Sequence, residues 1–307
     1  MNIFDIINVG LFAAAIRMAT PVALAALGGV FSERVGVVNV GLEGMMLMGA
    51  FSGVYVSYIT SNPWLGVFSA IIVGGLLGLI HAFLSVTLRG NQIVSGTGLN
   101  ILALGFTAYG SEVIWGSRGA SANVTSIAII KLPILGDIPI IGDIIGSASP
   151  LVYLMIIIII LTQILLFKTP IGLRLRAVGE HPAAADTAGV NVLRMKYMGI
   201  IVSGMLAGLG GVFLSLGNLG LFSYGMTGGR GFIALAAMIF GGWTPLGAFG
   251  ASLLFGFTDA LQMRLQSLGI LPPQIILMLP YIITIIVLAG VVRKTKPPSD
   301  YKPYEKD

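Results

Sequence analysis

Within the thirteen residues from Ser32 to Gly44 the chain sets three charges (Glu33, Arg34, Glu43), one amide (Asn39) and three glycines, with strongly apolar runs on either side. Asn39 and Glu43 are four residues apart, the spacing that places two side chains on one face of a helix. An amide and a carboxylate so placed could hydrogen-bond the hydroxyls or ring edges of a small polar solute. In hydrocarbon, such groups and a glycine-broken backbone persist only against protein or a water-filled cavity. Glu43 also has a structural use. Arg17 lies deep in the preceding apolar run, where an unpartnered arginine costs about 2.5–3.5 kcal/mol on insertion scales. A charge pair Arg17–Glu43 is therefore expected, ahead of direct contact between Glu43 and a solute.

Three more residues are candidates for a solute pathway. Asn100 is an amide inside another apolar run; it could read a ring edge or bond a neighbouring helix. Phe106 and Phe232 offer ring faces, and stacking contributes roughly 1–3 kcal/mol per base in nucleic-acid binders. A second polar segment runs from Gly179 to Asn191 and reads as a short helix: Pro182 suits a first helical position, Ala183, Ala184 and Ala185 favour helix, and Gly189 suits the end. With Glu180, His181 and Asp186, these residues form either an ordinary loop helix or a docking helix that inserts into a groove of a soluble partner.

Other chemistry is missing from the sequence. It holds no G-x-x-x-x-G-K-[ST] phosphate loop, no H-E-x-x-H, no serine-centred elbow and no cysteine, and His81 and His181 have no metal-ligand companions nearby. No catalytic residue, metal site or cofactor of its own is expected. The net charge of +5 reflects topology and points to no nucleic acid. Transport, conduction and scaffolding remain.

The elements that must hold these residues are membrane helices. Of 307 residues, 56% are hydrophobic and only 9% charged, against about 25% charged in soluble domains. The 43 glycines suit closely approaching helices. Spans of about 20 apolar residues are read at 9–31, 40–60, 64–88, 93–116, 150–167, 197–217, 246–264 and 272–292. A half-length stretch at 231–242, followed by Trp243-Thr244-Pro245, is counted as a ninth. The fold expected is an all-α polytopic membrane protein of a single domain, 1–307, with about nine spans and discontinuous helices. Its first half (1–149) includes an external loop at 117–149. A cytoplasmic loop at 168–196, a second half at 197–292 and a cytoplasmic tail at 293–307 follow.

Charge orients this chain. Five basic residues fall in 168–196 and five in the tail, so both are placed in the cytoplasm. Working back puts Arg34 and Arg89 inside and the N-terminus outside, in a cell membrane. The external loop carries two apolar turns in succession, Ile134 to Pro139 and Ile140 to Ile144. One internal echo suggests duplication: Gly28-Gly29-Val30-Phe31 closes the first span and Gly210-Gly211-Val212-Phe213 lies in the sixth, each before a glycine-rich polar break. Those two spans run in opposite directions, so a duplication would be an inverted repeat, an arrangement that places transport sites at broken helices.

The stretch SERVGVVNVGLEGMMLMGAF (Ser32 to Phe51) resembles the signature of permease subunits of nucleoside and simple-sugar ABC importers. The broader group also contains ribose and branched-chain amino acid permeases. RAVGEHPAAADTAGVNV (Arg176 to Val192) is similar to their cytoplasmic coupling segment, and Arg89 to Leu99 and Gly228 to Gly242 also fit. The resemblance covers nearly the whole chain and is closer to nucleoside than to ribose permeases. It implies an importer working by alternating access. A separate cytoplasmic ATPase subunit binds ATP and Mg, a second permease (a different homologous chain) completes the pathway, and an extracellular substrate-binding lipoprotein delivers the solute. Glu180, His181, Pro182, Ala183, Ala184, Asp186 and Gly189 would then couple to the ATPase. The rival is a secondary, ion-coupled transporter, for which Glu43, Glu112 and Asp259 would be the coupling carboxylates.

Overall fold

In a computed structural model of the protein, the described residues are 8–131, 142, 144, 146–268, 272–278, 282 and 285. Most of the apolar turns between 134 and 144, most of the span expected at 272–292, and the basic tail lie outside them.

Helix α1 (Val9–Arg34) is followed by α2 (Leu42–Thr60), α3 (Pro63–Ala82, extended by a π-helical turn Phe83–Thr87) and α4 (Gln92–Trp115). Strands β1 (Ile130–Lys131) and β2 (Ser147–Ala148) form a short antiparallel pair. After them come α5 (Pro150–Lys168), the short helices α6 (Pro170–Glu180) and α7 (Pro182–Thr187), and α8 (Val192–Val212, extended by a π-helical turn Phe213–Leu219). Helices α9 (Arg230–Phe240), α10 (Pro245–Leu268) and α11 (Pro273–Leu277) complete the described elements. Six helices are long and apolar enough to cross a membrane among the described residues: α1 to α5 and α8.

Local chemistry sets the helix starts. Asparagine side chains cap four N-termini: Asn8 accepts from Leu11 N, Asn62 from Trp64 N, Asn91 from Ile93 N and Val94 N, and Asn191 from Arg194 N. Pro63, Pro150, Pro170 and Pro182 open their helices, where proline's missing N–H costs nothing. Helix α8 starts at Val192, several residues before the expected span, and so draws Lys196 into the interior at 4% exposure.

Helix α8 is the central column, with 83% of its apolar stretch buried, against 28% for α4. Its neighbours approach through small residues. Gly28 of α1 lies on Ser203 and Gly210 lies on Pro21, so α1 runs antiparallel to α8. Gly74 meets Gly204 and Gly208, and Gly78 meets Ile200, so α3 is antiparallel as well. Helix α2 is parallel to α8: Gly49 touches Gly208, and Ser215 Oγ donates to Ala50 O at 3.1 Å. On the far side of α1, Gly256 of α10 lies against Ala15 and Ala19, and Arg264 reaches Asn8 at 2.7 Å. Helix α10 therefore runs antiparallel to α1. The strand-like segment 119–127 lies along 216–224 through Val124 N to Gly220 O, Ser121 N to Phe222 O and Tyr224 N to Gly119 O.

Close approach of this kind leaves no room for a side chain at the contact. Gly204→Leu is expected to destabilise the folded protein by at least about 1–3 kcal/mol through overpacking against α3, read as a lower unfolding temperature in detergent micelles. Gly98→Leu on α4, where a Cβ meets nothing within 4 Å, should leave that temperature unchanged.

Candidate functional site

The backbone between α1 and α2 leaves helical geometry at Val35 and Gly36, with Gly36 at φ +78°. It then runs without helical structure to a turn at Val40 and Gly41, along the inside of the protein. Buried backbone groups must be paired, and here side chains from three helices, with Asn39 of the segment itself, pair them. Ser32 Oγ donates to Val37 O at 2.6 Å, and Gln92 Oε1 accepts from Val38 N at 2.8 Å. His81, fully buried, places Nε2 3.0 Å from Val38 O and Nδ1 3.0 Å from Ser95 Oγ. Since a carbonyl only accepts, Nε2 carries the proton and Nδ1 accepts from the serine hydroxyl.

Asn39 and Asn100 finish the job. Asn39 Nδ2 donates to Ser203 Oγ at 2.9 Å while its Oδ1 accepts from Gly41 N at 3.1 Å. Asn100 Nδ2 donates to Val40 O at 3.0 Å and its Oδ1 accepts from Gly44 N at 2.7 Å, which caps the start of α2. The two amides that the spacing offered to a solute are thus engaged with the protein's own chain. Asn100 does so from α4 as an interhelical bond. His81, Ser203, Ser32 and Gln92 carried no functional signal in the sequence. Single polar residues on apolar runs reveal their role only when the broken backbone they serve is located.

Helix α9 begins against the same point. Its N-cap, Gly229, sits at φ +83° and offers no side-chain cap. Glu43 supplies one from α2: Oε1 accepts from Gly229 N at 2.8 Å and Oε2 from Gly231 N at 2.6 Å. The expected Arg17–Glu43 pair is therefore corrected. Both carboxylate oxygens are taken by the α9 N-terminus, whose unpaired N–H groups and positive dipole end favour an anion. Arg17 is exposed on α1, where it lines a shallow groove with Arg264. Phe232, 49% exposed, leaves this junction on the outside of α9, and Phe106, 54% exposed, stands on α4 with its ring edge-on to Phe51 at 6.2 Å. The structure unites Asn39, Glu43 and Asn100 and leaves both phenylalanines outside the cluster.

From Gly231 at Glu43, α9 descends past Gly29, beside Met238, to Trp243 at the end of α1. Its 11 residues rise about 16 Å, half the roughly 30 Å of a bilayer core. Helices α2 and α9 thus start at one level and run apart, N-terminus to N-terminus. At the foot of α9, Trp243 Nε1 donates to Glu33 Oε2, and Arg34 Nε donates to Trp243 O at 2.9 Å. The short helices stand beside this joint. Gly179 of α6 lies directly on Arg34 O. Ala185 of α7 is buried with Val178 and Val192, while Ala183, Ala184, Glu180 and His181 are exposed. Gly189 closes the α7 turn at φ +81°, and Asp186 with Arg89 lines a groove of about 230 Å³.

A family model described as branched-chain amino acid transport system / permease component matches residues 11–288. The chain is 43% identical to the guanosine ABC transporter permease protein NupQ of Bacillus subtilis (strain 168), covering 100% of this chain and 99% of the relative. It is 41% identical to the nucleoside ABC transporter permease protein NupC of Lactococcus lactis subsp. cremoris (97% and 96% covered). It is 37% identical to the putative glucose ABC transporter permease protein TsgC13 of Haloferax volcanii (94% and 93% covered). The first two organisms each hold a second, more distant relative with a permease name, 29% and 27% identical to this chain. No solved structure matches the chain.

The Glu43 junction has a measurable consequence. Glu43→Ala strips the acceptors from two helix-terminal N–H groups, and each buried donor left unpaired costs about 1–3 kcal/mol. Thermal unfolding in lipid nanodiscs should show that loss, and Glu43→Gln, which keeps one acceptor oxygen, should lose less.

Proposed function

The chain belongs to the permease-component family of branched-chain amino acid transport systems, and from that premise we propose that it is the membrane-spanning permease of an ATP-driven nucleoside importer. The observation that carries this reading is the full-length similarity to two permeases named for guanosine and nucleosides, at 43% and 41% identity. The relative named for glucose is less similar, at 37%. Hydrolysis belongs to a separate ATPase chain, since no phosphate loop occurs in this sequence. A second permease is supported by the paired relatives in two organisms, and we take it to be a different, homologous chain. An extracellular binding lipoprotein delivers the solute.

The finer topology is part of the proposal. Segment 220–240 crosses once, as a turn-rich entry followed by the half-helix α9, which makes nine crossings with the N-terminus outside and the tail in the cytoplasm. Its mirror is segment 35–60, a non-helical entry followed by α2. The contacts support an inverted repeat: α3 lies on α8 as α10 lies on α1, and α2 lies on α8 as α9 lies on α1. Helices α6 and α7 dock on the ATPase through Glu180, His181, Pro182, Ala183, Ala184, Asp186 and Gly189. Solute passes by alternating access; Phe106 and Phe232, outside the Glu43 cluster, are two of the exposed rings available to a planar base. Two of the three carboxylates an ion-coupled transporter would use are already engaged: Glu43 through both oxygens and Glu112 with Arg118 at 2.6 Å, which leaves Asp259 alone for that role.

Two outcomes are expected in proteoliposomes holding both permeases, the ATPase and the binding protein. Uptake of labelled guanosine requires internal ATP and survives a proton ionophore; uptake that outlasts ATP depletion and collapses with the ionophore would instead establish a secondary transporter. Ala184→Glu, which places a charge on the exposed face of α7, lowers uptake by about tenfold or more, the effect of roughly 1.4 kcal/mol in a coupling free energy, without lowering expression.

A further inference from the structure

We propose that Arg34 is a positioning residue for energy coupling: it clamps the Trp243 turn at the foot of half-helix α9 against α6, so that a displacement of the docking helices reaches the break at Glu43. The inference rests on the importer reading above and adds a residue that the docking segment does not contain.

Three elements besides α1 converge on this residue. Its Nε donates to Trp243 O at 2.9 Å, joining α1 to the turn between α9 and α10. Its guanidinium lies 5.6 Å from the Phe167 ring centroid at the end of α5, and Arg176 of α6 lies 5.0 Å from the same centroid. Its carbonyl is covered by Gly179, where α6 approaches too closely for any side chain. The charges that face it, Arg176 and Glu180, both belong to α6. Guanidinium–ring attraction is confined to about 6 Å, so the Arg34 contact stands near its limit and yields to small movements of α5 or α6.

The turn it holds needs holding. Trp243 sits at φ +53°, a left-handed conformation that costs a non-glycine residue about 1–3 kcal/mol and persists only where its surroundings over-determine it. Two adjacent residues do so here, Glu33 through the indole N–H and Arg34 through the carbonyl. From Trp243 the rigid α9 leads to Gly231 and Gly229 on Glu43. In arginine the Nε–H and the planar face act at once, whereas lysine keeps the charge and a donor but has no planar fork to do both.

The test uses the assembled importer in proteoliposomes and reads solute taken up per ATP hydrolysed. Arg34→Met keeps an apolar stem and should lower that ratio at least about fivefold, the low end of a coupling free energy, while hydrolysis stays within about twofold of wild type. Arg34→Lys should fall between the two. Phe167→Leu removes the ring without touching the hydrogen bond and should lower the ratio by a smaller factor. A wild-type ratio in Arg34→Met or Phe167→Leu would overturn the proposal, as would hydrolysis and uptake falling together. If Arg34→Met does not assemble, the Phe167→Leu ratio decides. A wild-type importer that transports without ATP overturns the importer reading itself, a result visible before any variant is compared.

Discussion

Two helix N-termini meet inside the protein, and a single carboxylate makes that meeting tolerable. Each N-terminus carries unpaired N–H groups and about half a positive charge, so α2 and α9 would repel if brought together bare. Glu43 stands in the first turn of α2 and accepts from Gly229 and Gly231 of α9. Placed there, it serves its own helix dipole and caps the other helix at the same time. A glutamate at the start of a helix is ordinary; one whose two oxygens both belong to a second, oppositely directed helix fixes the relative position of the two breaks.

The rest of the interior follows from keeping those breaks in place. The non-helical chain at 35–41 has largely buried backbone groups, and Ser32, His81, Gln92, Asn39 and Asn100 answer them one by one. The helices that bring these side chains in must come close, and they do so on glycine: Gly28, Gly49, Gly74, Gly204 and Gly208 form the contacts around α8. At the other end of α9, Glu33 and Arg34 fix the Trp243 turn beside α6. Segment Ser32 to Gly44 therefore touches both ends of the half-helix, which explains why its charges and glycines are so dense.

Much of this was legible in the sequence, because hydropathy and charge act at the scale of whole helices. The spans through α5 and the short helix at Pro182 follow from hydropathy, proline and glycine, as does a polar break within Ser32 to Gly44. The helix start at Leu42 does not, and it leaves Asn39 outside the helix on whose face its spacing from Glu43 had set it. The partner of Glu43 was not legible. Arg17 was the natural choice by charge, but the α9 amides have no letter in the sequence, and only the fold shows that they point at a carboxylate 186 residues away. Asn39 and Asn100 were ambiguous for a related reason: an amide at membrane depth looks the same whether it awaits a solute or serves a backbone, and for Asn100 the bond to a neighbouring helix was one of the two readings. His81 gave no hint at all, since its partners are a carbonyl and a hydroxyl on other segments.

The meeting of the two N-termini is open to one direct measurement. In lipid bilayers, solid-state NMR can recouple the carboxyl ¹³C of Glu43 with the amide ¹⁵N of glycine, using Glu43→Gln to assign the signal. Two hydrogen bonds require both nitrogens within about 4 Å of that carbon, so strong dephasing by Gly229 and Gly231 is predicted. A Glu43 carboxyl signal with no glycine dephasing would mean that α2 and α9 do not meet at this residue.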